Sequence, residues 1–270
     1  MKSGVAAITL MALRLAHERQ RKAGIKLIFT AGEETCCQGA EHVAGLGDAI
    51  GQAGAIIVGE PTSNVPWIGH KGCVRYALKT RGVAAHASMP EAGINAIYKA
   101  ADVIKKLEQF DFGEPRHPFL GVPTLTVSTI ASGTAINVVP DEATLGIDIR
   151  TLPDQEEDDI HNQLAAVLGR DVAIQKLNGA RGISTDPEHP WVQQVFELMG
   201  KLVGRRPEPA GAPYFTDASV LTPACGNPPT LILGPGEPQM AHTTDEYCYL
   251  WKIELALEAY TEIAKNWCEA

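Results

Sequence analysis

The sequence predicts an α/β protein with a smaller ferredoxin-like domain inserted between its two halves, and three observations predict it. Two short apolar runs, residues 25–30 and 55–58, read as buried strands of the parallel type, and each is soon followed by a glycine and a carboxylate, Gly32-Glu33 and Gly59-Glu60. From Gly69 to about residue 179 the pattern changes to the order βαββαβ, the signature of a ferredoxin-like sandwich. After about residue 180 the first style resumes. The domains are therefore drawn as 1–68 with 180–270, and 69–179.

Residues 3–22 read as a helix stopped by Gly24, and 25–30 as the strand that follows it in a βαβ unit. The run Val5–Leu13 behind Lys2 imitates the core of a signal peptide. Arg14, His17, Arg19, Arg21 and Lys22 stand where a small-residue cleavage site belongs, so a helix inside the fold is the better reading. In the inserted domain, strands are predicted at 73–79, 124–130, 144–149 and 172–177, with helices at 94–110 and 154–168. The second helix has acids in its first turns, as the helix dipole favours. A helix at 191–204, a strand at 230–233 and a helix at 249–267 complete the chain; Ile253, Leu257, Tyr260, Ile263 and Trp267 fall at helical spacing and read as core.

With 270 residues, 45% of them hydrophobic and 20% charged, this is a folded chain rather than a disordered or fibrous one. A net charge of −9 argues against a broad phosphate-binding surface, so no nucleic-acid partner is expected. No run approaches the length of a membrane span. Six cysteines without a C-x-x-C pair favour buried thiols and a cytoplasmic location.

Adjacent carboxylates such as Glu33-Glu34 mean little by themselves. Their place after an apolar strand gives them meaning, because ligands of open α/β sheets bind at the carboxyl ends of the strands. Glu60, at the end of the next strand, and His242, after Gly234-Pro235-Gly236, belong to the same edge. Three carboxylates and a histidine there suit a divalent metal, with one carboxylate left over as a base. Cys36-Cys37 reads as packing. Thr216-Asp217-Ala218-Ser219 and Gly234-Pro235-Gly236 are given no individual roles.

Met1-Lys2-Ser3-Gly4, Thr30-Ala31-Gly32-Glu33-Glu34, Gly59-Glu60-Pro61-Thr62, Gly69-His70-Lys71-Gly72, His86-Ala87-Ser88, Asn137-Val138-Val139-Pro140 and Ala241-His242-Thr243-Thr244-Asp245-Glu246, in this order, resemble the M20 metallopeptidases. That family includes acetylornithine deacetylase, succinyl-diaminopimelate desuccinylase, aminoacylase and glutamate carboxypeptidases. The resemblance implies a zinc-peptidase-like three-layer catalytic domain with the ferredoxin-like insert as lid and dimerisation domain. It also implies two Zn2+ or Co2+ per subunit and hydrolysis of an amide bond in a small N-acyl amino acid or short peptide. The resemblance sets Thr216-Asp217-Ala218-Ser219 and Gly234-Pro235-Gly236 in loops around the metal crevice.

Residue by residue, it implies Glu33 as general base, Glu34 and His242 as ligands of one metal and Glu60 as a ligand of the other. His86 matches the lid histidine that stabilises the oxyanion in a partner subunit's site, which implies a homodimer through the lid. Asn137 matches a lid asparagine that touches substrate. Arg150 and Arg181 are candidates for a substrate carboxylate, with a structural ion pair, Arg150 to Asp148 for one, the equal alternative. Family members carry an aspartate directly before the Met-Lys-Ser/Gly run and a His-x-Asp motif upstream. Here that methionine is Met1, so the resemblance implies an N-terminally shortened chain that holds metal weakly and has impaired activity. A carboxypeptidase or dipeptidase of the same family, and a non-catalytic dimerisation or binding module, are the competing readings.

Overall fold

The structure is a computed structural model that describes residues 1–17 and 22–269. In chain order the elements are α1 (Lys2–Leu15), α2 (Gln38–Ala44), β1 (Ile56–Val58), β2 (Gly69–His70), β3 (Gly72–Arg81), β4 (Ala85–His86), α3 (Ala96–Glu108), β5 (Thr124–Ser132), β6 (Val138–Val139), β7 (Glu142–Thr151), α4 (Glu157–Leu168), β8 (Val172–Ala180), β9 (Ile183–Ser184), α5 (Pro190–Val203), α6 (Ala218–Ala224), β10 (Thr230–Ile232) and α7 (Leu250–Glu269). They form two compact units, Met1–His70 with Ile183–Ala270, and Lys71–Gly182.

The second unit is a four-stranded antiparallel sheet in the order β5-β7-β3-β8, the ferredoxin-like arrangement. Alternation explains it. Val74, Tyr76 and Leu78 of β3 and Ala143, Leu145, Ile147 and Ile149 of β7 bury every second side chain. They meet Ala96, Ala100, Val103 and Leu107 of α3 and Ile160, Leu164 and Leu168 of α4, which repeat at helical spacing. Each fully buried Leu or Ile there contributes about 1.5–3 kcal/mol before ordering costs. Asn95 sets where α3 begins: its carboxamide oxygen accepts from the Ile97 and Tyr98 amides at 2.8 and 3.4 Å. A short ribbon, β4 with β6, pairs His86 with Val138.

In the first unit β1 and β10 pair in parallel, Ile56 with Thr230 and Val58 with Ile232. The buried stripe Gly4, Ala7, Met11 and Leu15 lies along α1, which packs on α7. Gly4 permits the close approach of α1 to the end of β1: a Cβ there would stand 2.2 Å from the Gly59 carbonyl oxygen. The Tyr260 hydroxyl of α7 donates to the Leu233 carbonyl just beyond β10.

Two expectations are corrected. The run 25–30 is not a buried strand: it has no regular secondary structure and joins no ladder among the described residues. Leu27 is 38% and Phe29 53% exposed. Apolar composition marks a segment able to form a strand, but a ladder needs a neighbour, and β1 and β10 are hydrogen-bonded to each other. The first helix ends at Leu15, and the expected continuation through residues 18–21, with Arg19 and Arg21, lies outside the described residues.

Candidate metal and catalytic site

Glu33 and Glu34 sit in a 3-10 turn, Glu33–Thr35, entered through Gly32 at φ 77° and left through Cys36 and Cys37 at φ 65° and 62°. The Gly32 carbonyl accepts from the amides of Thr35 at 3.3 Å and Gln38 at 3.2 Å, and the Glu33 carbonyl accepts from that of Cys37 at 3.0 Å. Gly39 lets α2 approach Ala31, whose carbonyl oxygen would stand 2.2 Å from a Cβ at that position.

Glu60 follows β1, where the Thr62 hydroxyl links it to the end of β10 by accepting from the Gly234 amide at 3.1 Å. The Tyr214 phenol donates to the Pro61 carbonyl at 3.2 Å. His242, itself at φ 60°, lies in the loop after Pro238–Met240. That loop is anchored by the Lys252 ammonium, which donates to Glu237 and Ser63.

Within the first unit the structure brings Glu34 and His242 together. His242 Nε2 is 3.4 Å from Glu34 Oε1. Burial first, then the carboxylates of Asp217 and Glu34, push the Glu60 carboxyl up to about 7, against the opposing pull of the Met1 amino group and His242. Tyr214 is pushed far up by burial and by the charges of Glu60 and Glu33. Carboxylates crowded with too little positive charge, beside an imidazole, form a donor set that suits a divalent cation. Asp217 Oδ1, buried without a hydrogen-bond partner among the described residues, fits the same reading. Among the described residues no three His, Cys, Asp or Glu side chains form a ready-made metal-holding group.

In the second unit, the Ala87 amide donates to the Asn137 carbonyl at 2.9 Å, which holds the turn carrying Asn137, directly before β6, beside His86 of β4. The Ser88 amide donates to His86 Nδ1 at 3.1 Å, so a neutral ring carries its proton on Nε2. Arg150 is taken up by Asp148, Nε to Oδ1 at 2.7 Å, and Arg75 reaches the other carboxylate oxygen at 2.9 Å. Arg181 meets Glu156 at 3.3 Å on the surface.

Tyr214 is the residue that sequence reasoning missed; Asp217 lies in the segment the resemblance sets beside the crevice, but without a role of its own. Their only local signal is a Thr-Asp step before a helix, and what matters about them is contact with distant segments.

Residues 68–174 match the family model described as a peptidase dimerisation domain, and residues 2–56 match that of peptidase family M28. The acetylornithine deacetylase of Klebsiella pneumoniae (strain 342) is 31% identical over 98% of this chain and 70% of its own length. The chain belongs to the M20 metallopeptidase and deacylase family. The acetylornithine deacetylase of Salmonella arizonae matches to the same extent. Among solved structures, a Staphylococcus aureus tripeptidase superposes with TM-score 0.80 at 23% identity, over 99% of this chain and 70% of that one. A dinuclear metal-binding M20 peptidase of Bacillus subtilis does so with TM-score 0.73 at 16% identity, over 98% and 71%. These likenesses support the fold of this M20 chain, a catalytic domain with a lid.

Proposed function

We propose that this M20 chain serves metal-dependent hydrolysis of the amide bond of a small N-acyl amino acid or short peptide. The observation that carries the reading is the approach of His242 to Glu34 beside Glu60 and Glu33, on segments distant in the chain. Glu34 and His242 would hold one zinc or cobalt ion and Glu60 the other; bound ions supply Lewis acidity and a water of lowered pKa. Glu33 takes the proton of the attacking water and delivers it to the leaving nitrogen. His86, with its proton on Nε2, donates to the developing oxyanion in a partner subunit of a homodimer formed through the lid. Asn137, in the turn before β6, orients substrate. A substrate carboxylate would have to displace Asp148 from Arg150 or Glu156 from Arg181; the exposed Arg181, with one 3.3 Å contact, gives up less.

Free thiols at all six cysteines agree with a cytoplasmic location. No helix among the described residues is long and apolar enough to cross a membrane. Glu34, His242 and Glu60 give two donors to one ion and one to the other, fewer than a tight site has, so these three side chains by themselves hold metal weakly. Metal analysis of the purified chain and assays against N-acetyl, N-succinyl and dipeptide substrates test this. Substoichiometric metal, with slow hydrolysis raised by added Zn2+ or Co2+, supports the reading; no hydrolysis of any of them at saturating metal contradicts it.

A further inference from the structure

Resting on the roles given to Glu33 and Glu34, we propose that Asp217 is a positioning residue: its carboxylate and the adjoining Thr216 carbonyl tie down the two ends of the segment carrying those glutamates. The segment needs tying. Cys36 and Cys37 are successive non-glycine residues in the left-handed region, and such backbone persists only where its surroundings hold it. The hydrogen bonds within residues 32–38 shape the turn but do not fix it to the rest of the unit.

Asp217 does fix it. The Thr30 hydroxyl, ahead of the turn, donates to Asp217 Oδ2. The Cys37 thiol, behind it, donates to the Thr216 carbonyl at 3.5 Å, one residue before Asp217, and feels the charge of the same carboxylate. Burial and this neighbouring negative charge keep that thiol protonated, so it stays a donor.

The clamp is itself well seated. The Asp217 carbonyl accepts from the amides of Val220 at 3.1 Å and Leu221 at 2.9 Å in the first turn of α6, and Thr216 Oγ1 accepts from the Ala218 amide at 3.1 Å. Thr216 and Ala218 are both fully buried.

The test is amide hydrogen exchange over residues 33–39, together with labelling of Cys37 read by peptide mapping, on the full 270-residue chain without metal. Asp217→Ala is expected to speed both by about tenfold or more, the loss of a charged hydrogen bond, while exchange in α5 and α7 stays unchanged. Asp217→Asn, which still accepts from Thr30, restores protection. Zinc affinity follows the turn, falling in Asp217→Ala and recovering in Asp217→Asn. Unchanged exchange in a folded Asp217→Ala, or a freed turn with undiminished zinc affinity, overturns the proposal. If Asp217→Ala does not fold, Thr30→Val is read in the same way: faster exchange confined to 33–39 supports the clamp and unchanged exchange overturns it. If the wild-type chain binds no zinc, the hydrolase reading fails, while the exchange data still decide the clamp.

Discussion

His242 Nε2 and Glu34 Oε1 stand 3.4 Å apart, although both side chains are about three-quarters exposed. Packing around the side chains themselves therefore does not hold this pair. Their loops do, and the His242 loop is held by the ion pair of Lys252 with Glu237 and by the Ser63 hydroxyl, which donates to Glu237 at 3.0 Å.

Lys252→Met should loosen that loop without touching His242. Outer supports of metal ligands are worth about 10–100-fold in affinity, so zinc binding is expected to weaken by at least the lower figure. Calorimetric titration of zinc into the two proteins reads it. An unchanged affinity would mean that the His242 loop is set by other contacts.

If His86 completes a partner's site, two inactive variants should rescue each other. Mixing His86→Ala with Glu33→Gln and allowing subunits to exchange gives mixed dimers with one intact site, about a quarter of wild-type activity at equal amounts. Recovery of no activity after verified exchange would place His86 outside the partner's chemistry.

Gly4→Ala is expected to cost about 1–3 kcal/mol, because the new Cβ would stand 2.2 Å from the Gly59 carbonyl oxygen at the end of β1. Urea denaturation compares the two chains. An unaltered midpoint would show that α1 shifts freely on β1.

Asp148 contributes an acid-side pH dependence to the inserted domain. Burial raises its pKa, but the Arg75 hydrogen bond and the Arg150 charge outweigh burial, and the net shift is downward. Its folded pKa thus lies below the unfolded value of about 3.9, so its stabilisation is complete above that value and is lost as pH falls through the folded pKa. Asp148→Asn should therefore be less stable than wild type at pH 7, with the gap closing in acid. A gap that stays constant with pH would exclude this ion pair as the source.

Much of the fold is written in the sequence wherever periodicity is local. The alternation of Val74, Tyr76 and Leu78 and the helical spacing of Ile160, Leu164 and Leu168 need no knowledge of neighbours. The run 25–30 shows the limit: its composition is that of β1, but pairing belongs to the neighbour and not to the run. Of the proposed site residues, Glu60 follows a strand and His242 a glycine-rich turn, whereas the strand expected ahead of Glu33 and Glu34 does not form and their signal is the adjacent pair behind Gly32. Asp217 has no such signal, because nothing near it in sequence hints at Thr30 or Cys37.

The division of labour between neighbouring carboxylates is the centre of the account, and zinc affinity measured side by side for Glu33→Gln and Glu34→Gln tests it most directly. The account predicts that Glu34→Gln weakens zinc binding by about tenfold or more, whereas Glu33→Gln leaves binding near wild type and lowers kcat by about 10²–10⁴-fold. Loss of zinc by Glu33→Gln, with Glu34→Gln binding as wild type, would contradict it.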